Sequence, residues 1–289
     1  MIPSQFTYHR PKSLTDALSL MRQFDGDGRV VSGGMSLVPA MKLRLIQPDH
    51  LIDIGKLKEI RYIKNMSDGV AIGAGTTYRD LIESKIVLKK LPLLAEAASL
   101  VGDTQIRNRG SIGGSAAHAD PAADLPAVLS ALDARFLIKG GIRSRNLSAK
   151  KFFVDAYETD LHPSEILTEI IMPSLPQNSG TAYVKFANKA SRFAIVGAAV
   201  VIATTKDNIC NHVRISLTGA GPKPQRLLMA EKYLQGTLLS TEAIDTAIQK
   251  SIKNIEVLSD IHGSEEYRLH LSKVISARAC NLAWDRLRN

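Results

Sequence analysis

The sequence predicts an α+β protein of more than one domain, on three observations. Its 289 residues exceed what one hydrophobic core usually serves. Residues 182–218 read as three strands and residues 226–287 as three helices, the segregated order of an antiparallel sheet backed by helices. Upstream, short strands alternate with helices, and two of the strand-to-helix junctions are rich in glycine.

In chain order, Phe6 and Tyr8 belong to a short strand. Pro11-Lys12-Ser13-Leu14 starts a helix with Leu14, Ala17, Leu18 and Met21 on one face, and Gly26 and Gly28 end it. Val30-Val31 is a buried strand that runs directly into Ser32-Gly33-Gly34-Met35-Ser36-Leu37 and a helix over 38–45, with Pro39 tolerated in the first turn. Pro48 stops this helix. Short strands are expected over 51–54, 60–63 and 70–72, with turns at Gly55 and Asp68-Gly69. Gly73-Ala74-Gly75 resembles the start of a dinucleotide fingerprint. It fails at Tyr78, which stands where the third glycine of G-x-G-x-x-G would fall, so Gly73 to Thr77 is a turn capped by Thr76 or Thr77. No Gly-Lys-Ser/Thr follows a glycine run, which excludes a P-loop. Helical spacing covers 78–86 and 91–100. Beyond the central loop, 134–138 is a strand, Gly140-Gly141 its turn, and 165–171 an extended segment alternating apolar and polar residues. Pro173, Pro176 and Gly180 punctuate the expected domain boundary. The last part holds strands over 182–186, 194–203 and 212–218, then helices over 226–234, 241–252 and 265–287.

The chain is organised around residues 105–124, Gln-Ile-Arg-Asn-Arg-Gly-Ser-Ile-Gly-Gly-Ser-Ala-Ala-His-Ala-Asp-Pro-Ala-Ala-Asp. Gly110, Gly113 and Gly114 free the backbone to turn sharply against a ligand, and Ser111 and Ser115 add short hydroxyl donors. Asp120-Pro121 or Asp124 then starts a helix through Leu125, Val128, Leu129 and Leu132, which puts free amides near the same loop. The combination suits a diphosphate.

Other signals bound the function. No apolar run approaches the roughly 18 residues of a membrane span, and MIPSQFTYHRPKS lacks the basic start and apolar core of a secretory signal, so a cytoplasmic protein is expected. Cys210 and Cys280 form no Cys-x-x-Cys pair, and neither a zinc nor an iron–sulfur ligand set is visible; any metal is expected in a partner. They read as small core residues. The net charge of +9 is spread along the chain and aromatics are only 5%, which argues against nucleic acid and for a basic face open to an acidic partner or an anionic ligand. His118 reads as loop support rather than a base, Asp103 as a cap, and the Asp260/His262 pair as a turn rather than a metal site. Leu271, Val274, Ile275 and Leu282 are expected to face the core from the last helix.

Four segments in order carry a resemblance: Val-Ser-Gly-Gly-Met-Ser-Leu-Val-Pro at 31–39, Ile-Gly-Ala-Gly-Thr-Thr at 72–77, Gln-Ile-Arg-Asn-Arg-Gly-Ser-Ile-Gly-Gly at 105–114 and Ala-Asp-Pro-Ala-Ala-Asp-Leu-Pro at 119–126. Together they resemble the FAD-binding medium subunit of the molybdenum hydroxylases, and the likeness runs from Phe6 through Ser259-Asp260-Ile261-His262-Gly263. The resemblance implies a vanillyl-alcohol-oxidase-type (PCMH-like) FAD-binding fold of two α+β subdomains, 1–57 and 58–176, closed by a C-terminal domain, 177–289. It implies non-covalent FAD, with the diphosphate cradled by Ser32, Gly33, Gly34, Met35, Ser36 and Leu37 and by Ser111, Ile112, Gly113, Gly114 and Ser115. Val101 is implied near the flavin or adenine, Asp124 along the ribityl and ribose portion, and Leu167 as a backbone contact. Lys185 and Phe193 are implied near the isoalloxazine.

This sequence departs from the family pattern at three of these positions. Met35 replaces a residue able to hydrogen-bond, Ser111 a Thr, and Phe193 a Tyr, so the last keeps ring stacking without the hydroxyl. The resemblance further implies partners, a small subunit with [2Fe–2S] clusters and a large subunit with a molybdenum cofactor, as a dimer of heterotrimers. Electrons would reach FAD from the clusters and leave to an external acceptor, and the chain itself would need no catalytic residue. Two other readings stand beside it: a stand-alone flavin oxidoreductase, and a nucleotide-binding scaffold subunit without redox turnover.

Overall fold

The computed structural model describes residues 2–141 and 143–288. Its first sheet is small and parallel, with strands β1 (Thr7–His9), β2 (Gly28–Val31) and β3 (His50–Asp53) in the order β1-β3-β2. Helix α1 (Leu14–Gln23) links the first two. Ser13 caps it by accepting from the Asp16 amide, and Leu14, Ala17, Leu18 and Met21 are buried as their spacing requires. Helix α2 (Leu37–Lys42) follows the first glycine loop and ends three residues earlier than expected, where Arg44 takes a left-handed φ of 59°.

The second sheet contains β4 (Ile63–Asn65), β5 (Gly69–Gly73), β6 (Arg135–Gly140), β7 (Arg143–Ser148) and, later in the chain, an eight-residue strand over Ile166–Pro173. A separate hairpin of β8 (Phe153–Asp155) and β9 (Glu158–Thr159) precedes that strand, which is therefore β10. The order is β4-β5-β10-β6-β7, antiparallel throughout. Between β5 and β6 run α3 (Tyr78–Glu83), α4 (Lys85–Lys90), α5 (Pro92–Ser99), α6 (Thr104–Arg109), α7 (Ile112–His118) and α8 (Asp124–Ala131), and α9 (Ala149–Phe152) follows β7. Thr77 closes a capping box at the start of α3, as the 73–77 reading anticipated. The strand expected over 60–63 is displaced. Lys58–Ile60 forms a 3₁₀ turn, because the Ile60 carbonyl accepts the Gly75 amide at 2.7 Å and its side chain fills the first core.

The third sheet, β11 (Ser179–Ala187), β12 (Ala194–Thr204), β13 (Cys210–Thr218) and β14 (Gln225–Arg226), is an antiparallel meander. One of its faces packs on α10 (Leu228–Leu234), α11 (Thr241–Ile252) and α12 (Glu265–Arg288). Its other face, through Tyr183, Ala199 and Val201, joins the core of the second sheet around α5 and α8. All eight residues of α8 are buried, the polar Asp124 and Ser130 included, because the helix lies between two sheets. Cys210 and Cys280 are free and buried in the third core. Leu271 and Ile275 are buried as expected and Leu282 packs partly buried against the same core, whereas Val274 instead lines a surface groove between α11 and α12. The expected α+β architecture stands. No helix among the described residues is long and apolar enough to cross a membrane.

Candidate functional site

The two glycine loops meet. Ser111 donates its hydroxyl to that of Ser32 at 3.1 Å, and the Arg109 Nε donates to the Gly33 carbonyl at 3.3 Å. Contact this close depends on glycine at 33, where a Cβ would stand 2.0 Å from the Arg109 carbonyl oxygen. Gly34 has a φ of 76°, the left-handed region where glycine is at home, and this bend starts α2.

The loops differ in what they leave free. Among the described residues, the amides of Gly33, Gly34, Met35, Ser36 and Leu37 have no protein acceptor, and Ser36 at the N-cap position makes no side-chain capping bond. Successive unpaired amides in one bend form a concave donor surface for an anion. Met35 is 38% exposed and brings no donor beyond its backbone. In the second loop each amide from 112 to 115 is engaged: Ile112 with the Thr76 carbonyl, Gly113 with that of Ala74, Gly114 with the Ser111 hydroxyl and Ser115 with the Ser111 carbonyl. Gly113 is glycine because a Cβ would lie 2.4 Å from that of Ala74, a packing reason rather than a ligand one. Gly114 faces open space apart from Ser111. The second loop thus reads as α6 and α7 with a sharp corner, which buttresses the first. Beside the first loop a groove of about 440 Å³ is lined by Tyr8, Asp53, Lys42, Pro39 and Arg109, with the Tyr8 hydroxyl donating to Asp53 at 2.5 Å. That bond, burial and the Asp53 charge hold the Tyr8 phenol above its ordinary value.

A second cluster forms around Asp124, the first residue of α8. The helix starts at Asp124, one of the two starts expected, but the Asp124 side chain does not cap it; Ala123 holds the cap position without a side-chain bond. Instead the carboxylate accepts from the Tyr183 hydroxyl at 2.5 Å and from Lys185 Nζ at 2.9 Å. Lys185 spends its other donors on the carbonyls of Leu100, 2.9 Å, and Arg192, 2.8 Å. It therefore draws together the backbone next to Val101, the backbone next to Phe193, and Asp124. Burial pushes the Asp124 carboxyl up, against the pull of Lys185 and Tyr183. Phe193 is 46% exposed and free to stack, while Leu167 is buried at a bulge of β10. Sequence reasoning missed Tyr183, Arg109 and Arg192, which donates to the Gly102 carbonyl at 3.3 Å. A signal for Tyr183 existed: Gly197 interrupts the run Ile-Val-Gly-Ala-Ala-Val, and a glycine inside a strand marks close approach of another group.

His118 stands beside Tyr157, ring centroids 5.2 Å apart, and burial lowers its pKa. Asp103 caps α6 through the Ile106 amide, and Asp260 accepts from the His262 amide in a turn. Among the described residues no group of three or more His, Cys, Asp or Glu could hold a metal ion.

Two joined loops with a run of free amides, on an α+β scaffold, form a concave donor surface suited to an anionic group. Residues 4–175 match the FAD binding domain in molybdopterin dehydrogenase, and residues 181–283 match the CO dehydrogenase flavoprotein C-terminal domain. The chain belongs to this family, its cofactor is FAD, and its place is that of the FAD-binding medium subunit of a molybdenum hydroxylase. It is similar to the carbon monoxide dehydrogenase medium chain of Hydrogenophaga pseudoflava, 41% identical over 99% of each chain. A solved carbon monoxide dehydrogenase structure from that organism superposes with a TM-score of 0.96. The glyceraldehyde dehydrogenase medium chain of Sulfolobus acidocaldarius is 36% identical over 96% of this chain and 98% of its own. Quinoline 2-oxidoreductase of Pseudomonas putida aligns at 30% identity over 99% and 100% of the chains, with a TM-score of 0.93.

Proposed function

We propose that this chain holds FAD as an electron relay between a molybdenum-containing oxidoreductase partner and an external acceptor. The observation that carries the reading is the bend at 33–37, five consecutive amides without a protein acceptor, pinned against Ser111 and Arg109. These donors fit a diphosphate. Ser32, Gly33, Gly34, Met35, Ser36 and Leu37 would hold it directly. Ser111, Ile112, Gly113, Gly114 and Ser115 would support it with hydroxyls and the open side of Gly114. Asp124 would meet the ribityl and ribose portion of the nucleotide, with Val101 packed near the flavin or adenine, Leu167 giving a backbone contact, and Lys185 and Phe193 near the ring. Bound FAD supplies exchange of electrons singly or in pairs, and the protein supplies orientation and exclusion of water.

Lys185 has a narrower part than its charge suggests. All three of its donors are engaged, and its charge is balanced by Asp124. It positions the 100–102 and 188–193 backbones around the flavin, and its influence on the ring passes through them.

The proposed partners are a small subunit with [2Fe–2S] clusters, which delivers single electrons, and a large subunit with the molybdenum cofactor, which oxidises the organic substrate. The assembly would be a dimer of heterotrimers, working in the cytoplasm. Purification of the chain with whatever it binds in its host tests this. Co-purifying iron and molybdenum, with substrate-dependent bleaching of the flavin, is the expected result; flavin reduction by substrate in the chain alone, without either metal, would overturn it.

A further inference from the structure

We infer that Tyr183 is a positioning residue for the flavin nucleotide: its hydroxyl fixes the orientation of the Asp124 carboxylate, and Gly197 exists to make room for it. The inference rests on the assignment of Asp124 to the FAD site above. Tyr183 is 2% exposed, on the same face of β11 as Lys185 two residues on, and the two side chains grip the two carboxylate oxygens separately. A carboxylate with one oxygen held by a hydroxyl and the other by an ammonium has no rotational freedom, and its unused lone pairs point in one fixed direction.

Space for this grip is built into the neighbouring strand. Gly197 on β12 pairs with Lys185, and a Cβ there would lie 2.6 Å from the Tyr183 hydroxyl oxygen. Apart from Thr204 at its end, the rest of β12 is Ala, Val and Ile, so the glycine is not explained by strand formation. The same sheet fixes the backbone leading into Asp124. Gly219 N donates to the Pro121 carbonyl at 2.8 Å, Ala194 N to that of Ala122 at 3.2 Å, and the Thr218 hydroxyl to that of Ala123 at 2.6 Å. The C-terminal sheet therefore sets both the position of α8 and the rotamer of its first residue. A polar residue that binds the cofactor from one unit is oriented by another.

The charged and titratable groups that face Asp124 are Lys185 and Tyr183 from β11, Asp120 from the preceding loop and Tyr78 from α3. Of these, Lys185 and Tyr183 favour the ionised carboxylate and Asp120 opposes it.

The experiment is a mutant cycle on the protein purified in its native assembly, stripped of flavin and titrated with FAD. Tyr183→Phe should weaken FAD binding about tenfold, the size expected for a lost bond to a charged group. In the Asp124→Asn background the same change should cost less than about twofold, since coupled residues are not additive. Gly197→Ala should reproduce Tyr183→Phe by displacing the hydroxyl without removing it. In Tyr183→Phe the acid limb of FAD affinity should move to higher pH, because the carboxylate has lost a donor that favours its charge. Unchanged affinity in Tyr183→Phe and in Gly197→Ala, or an equal loss with and without Asp124, would overturn the inference. If Asp124→Asn itself leaves FAD affinity unchanged, the assignment of Asp124 falls first and Tyr183 with it; if the wild-type protein takes up no FAD, the reading of the whole site falls.

Discussion

Ser32 and Ser111 are 79 residues apart in the chain, and their hydroxyls are 3.1 Å apart in space. This bond ties the parallel first sheet to the helices of the second. It sits beside the close approach of the two backbones, where Gly33 meets Arg109 and Gly110.

Gly33→Ala should separate the loops. The new Cβ meets backbone rather than a flexible side chain, so the cost is expected to be about 1–3 kcal/mol of stability. Bound flavin should fall well below stoichiometric. Gly26→Ala is the contrast. Gly26 has a φ of 88° and no atom within 4 Å of the added Cβ, so about 1 kcal/mol of strain and an unchanged flavin content are expected. Thermal unfolding and the ratio of flavin to protein absorbance read both variants.

Lys185→Met should destabilise the protein far more than a surface lysine would. It leaves Asp124 buried with only the Tyr183 hydroxyl as partner, and a buried pair broken on one side costs about 3–5 kcal/mol. Chemical denaturation of the wild type and the variant, at matched pH, measures the difference.

Both thiols should be inert in the folded protein. Burial pushes Cys210 up to about 11, only partly offset by its contact with the His212 carbonyl, and it pushes Cys280 up as well. Thiolate is the reactive form, so a disulfide reagent should label neither residue until denaturant is added. Mass spectrometry of the labelled protein decides it.

How far the sequence carried the argument differs by region. The loop at 31–39 could be read because its glycines do serve a sharp bend, at Gly34, and a close backbone approach, at Gly33. Gly110 and Gly113 carried the same pattern for another reason: their missing side chains accommodate Tyr78 and Ala74. Residue type records that space is needed, without recording by whom. Strand β7, Arg-Ser-Arg-Asn-Leu-Ser, was invisible because it is an edge strand held by β6 and has little apolar pattern. Asp124 read as one possible helix start because it precedes an apolar run, and α8 does begin there. Only the fold brings Tyr183 and Lys185 to it from some 60 residues away.

Acid should unfold the protein partly through Glu165. Burial raises its pKa, but Arg145 and the His162 amide outweigh this and hold it below the ordinary 4.5. A carboxylate with a depressed folded pKa stabilises above its unfolded value and loses that contribution as pH falls, so the unfolded chain takes up more protons on the acid side. Stability should fall below about pH 5. Glu165→Gln should lower stability at neutral pH and flatten that decline, as equilibrium unfolding between neutral and acid pH would show.

The central claim, that the bend at 33–37 joined to Ser111 cradles a flavin diphosphate, is tested most directly by identifying what the native protein releases on denaturation. The expected result is FAD in one-to-one ratio with the chain, reduced to a small fraction in Gly33→Ala. Release of FMN, of a nucleotide without flavin, or of no nucleotide from the wild type would contradict it.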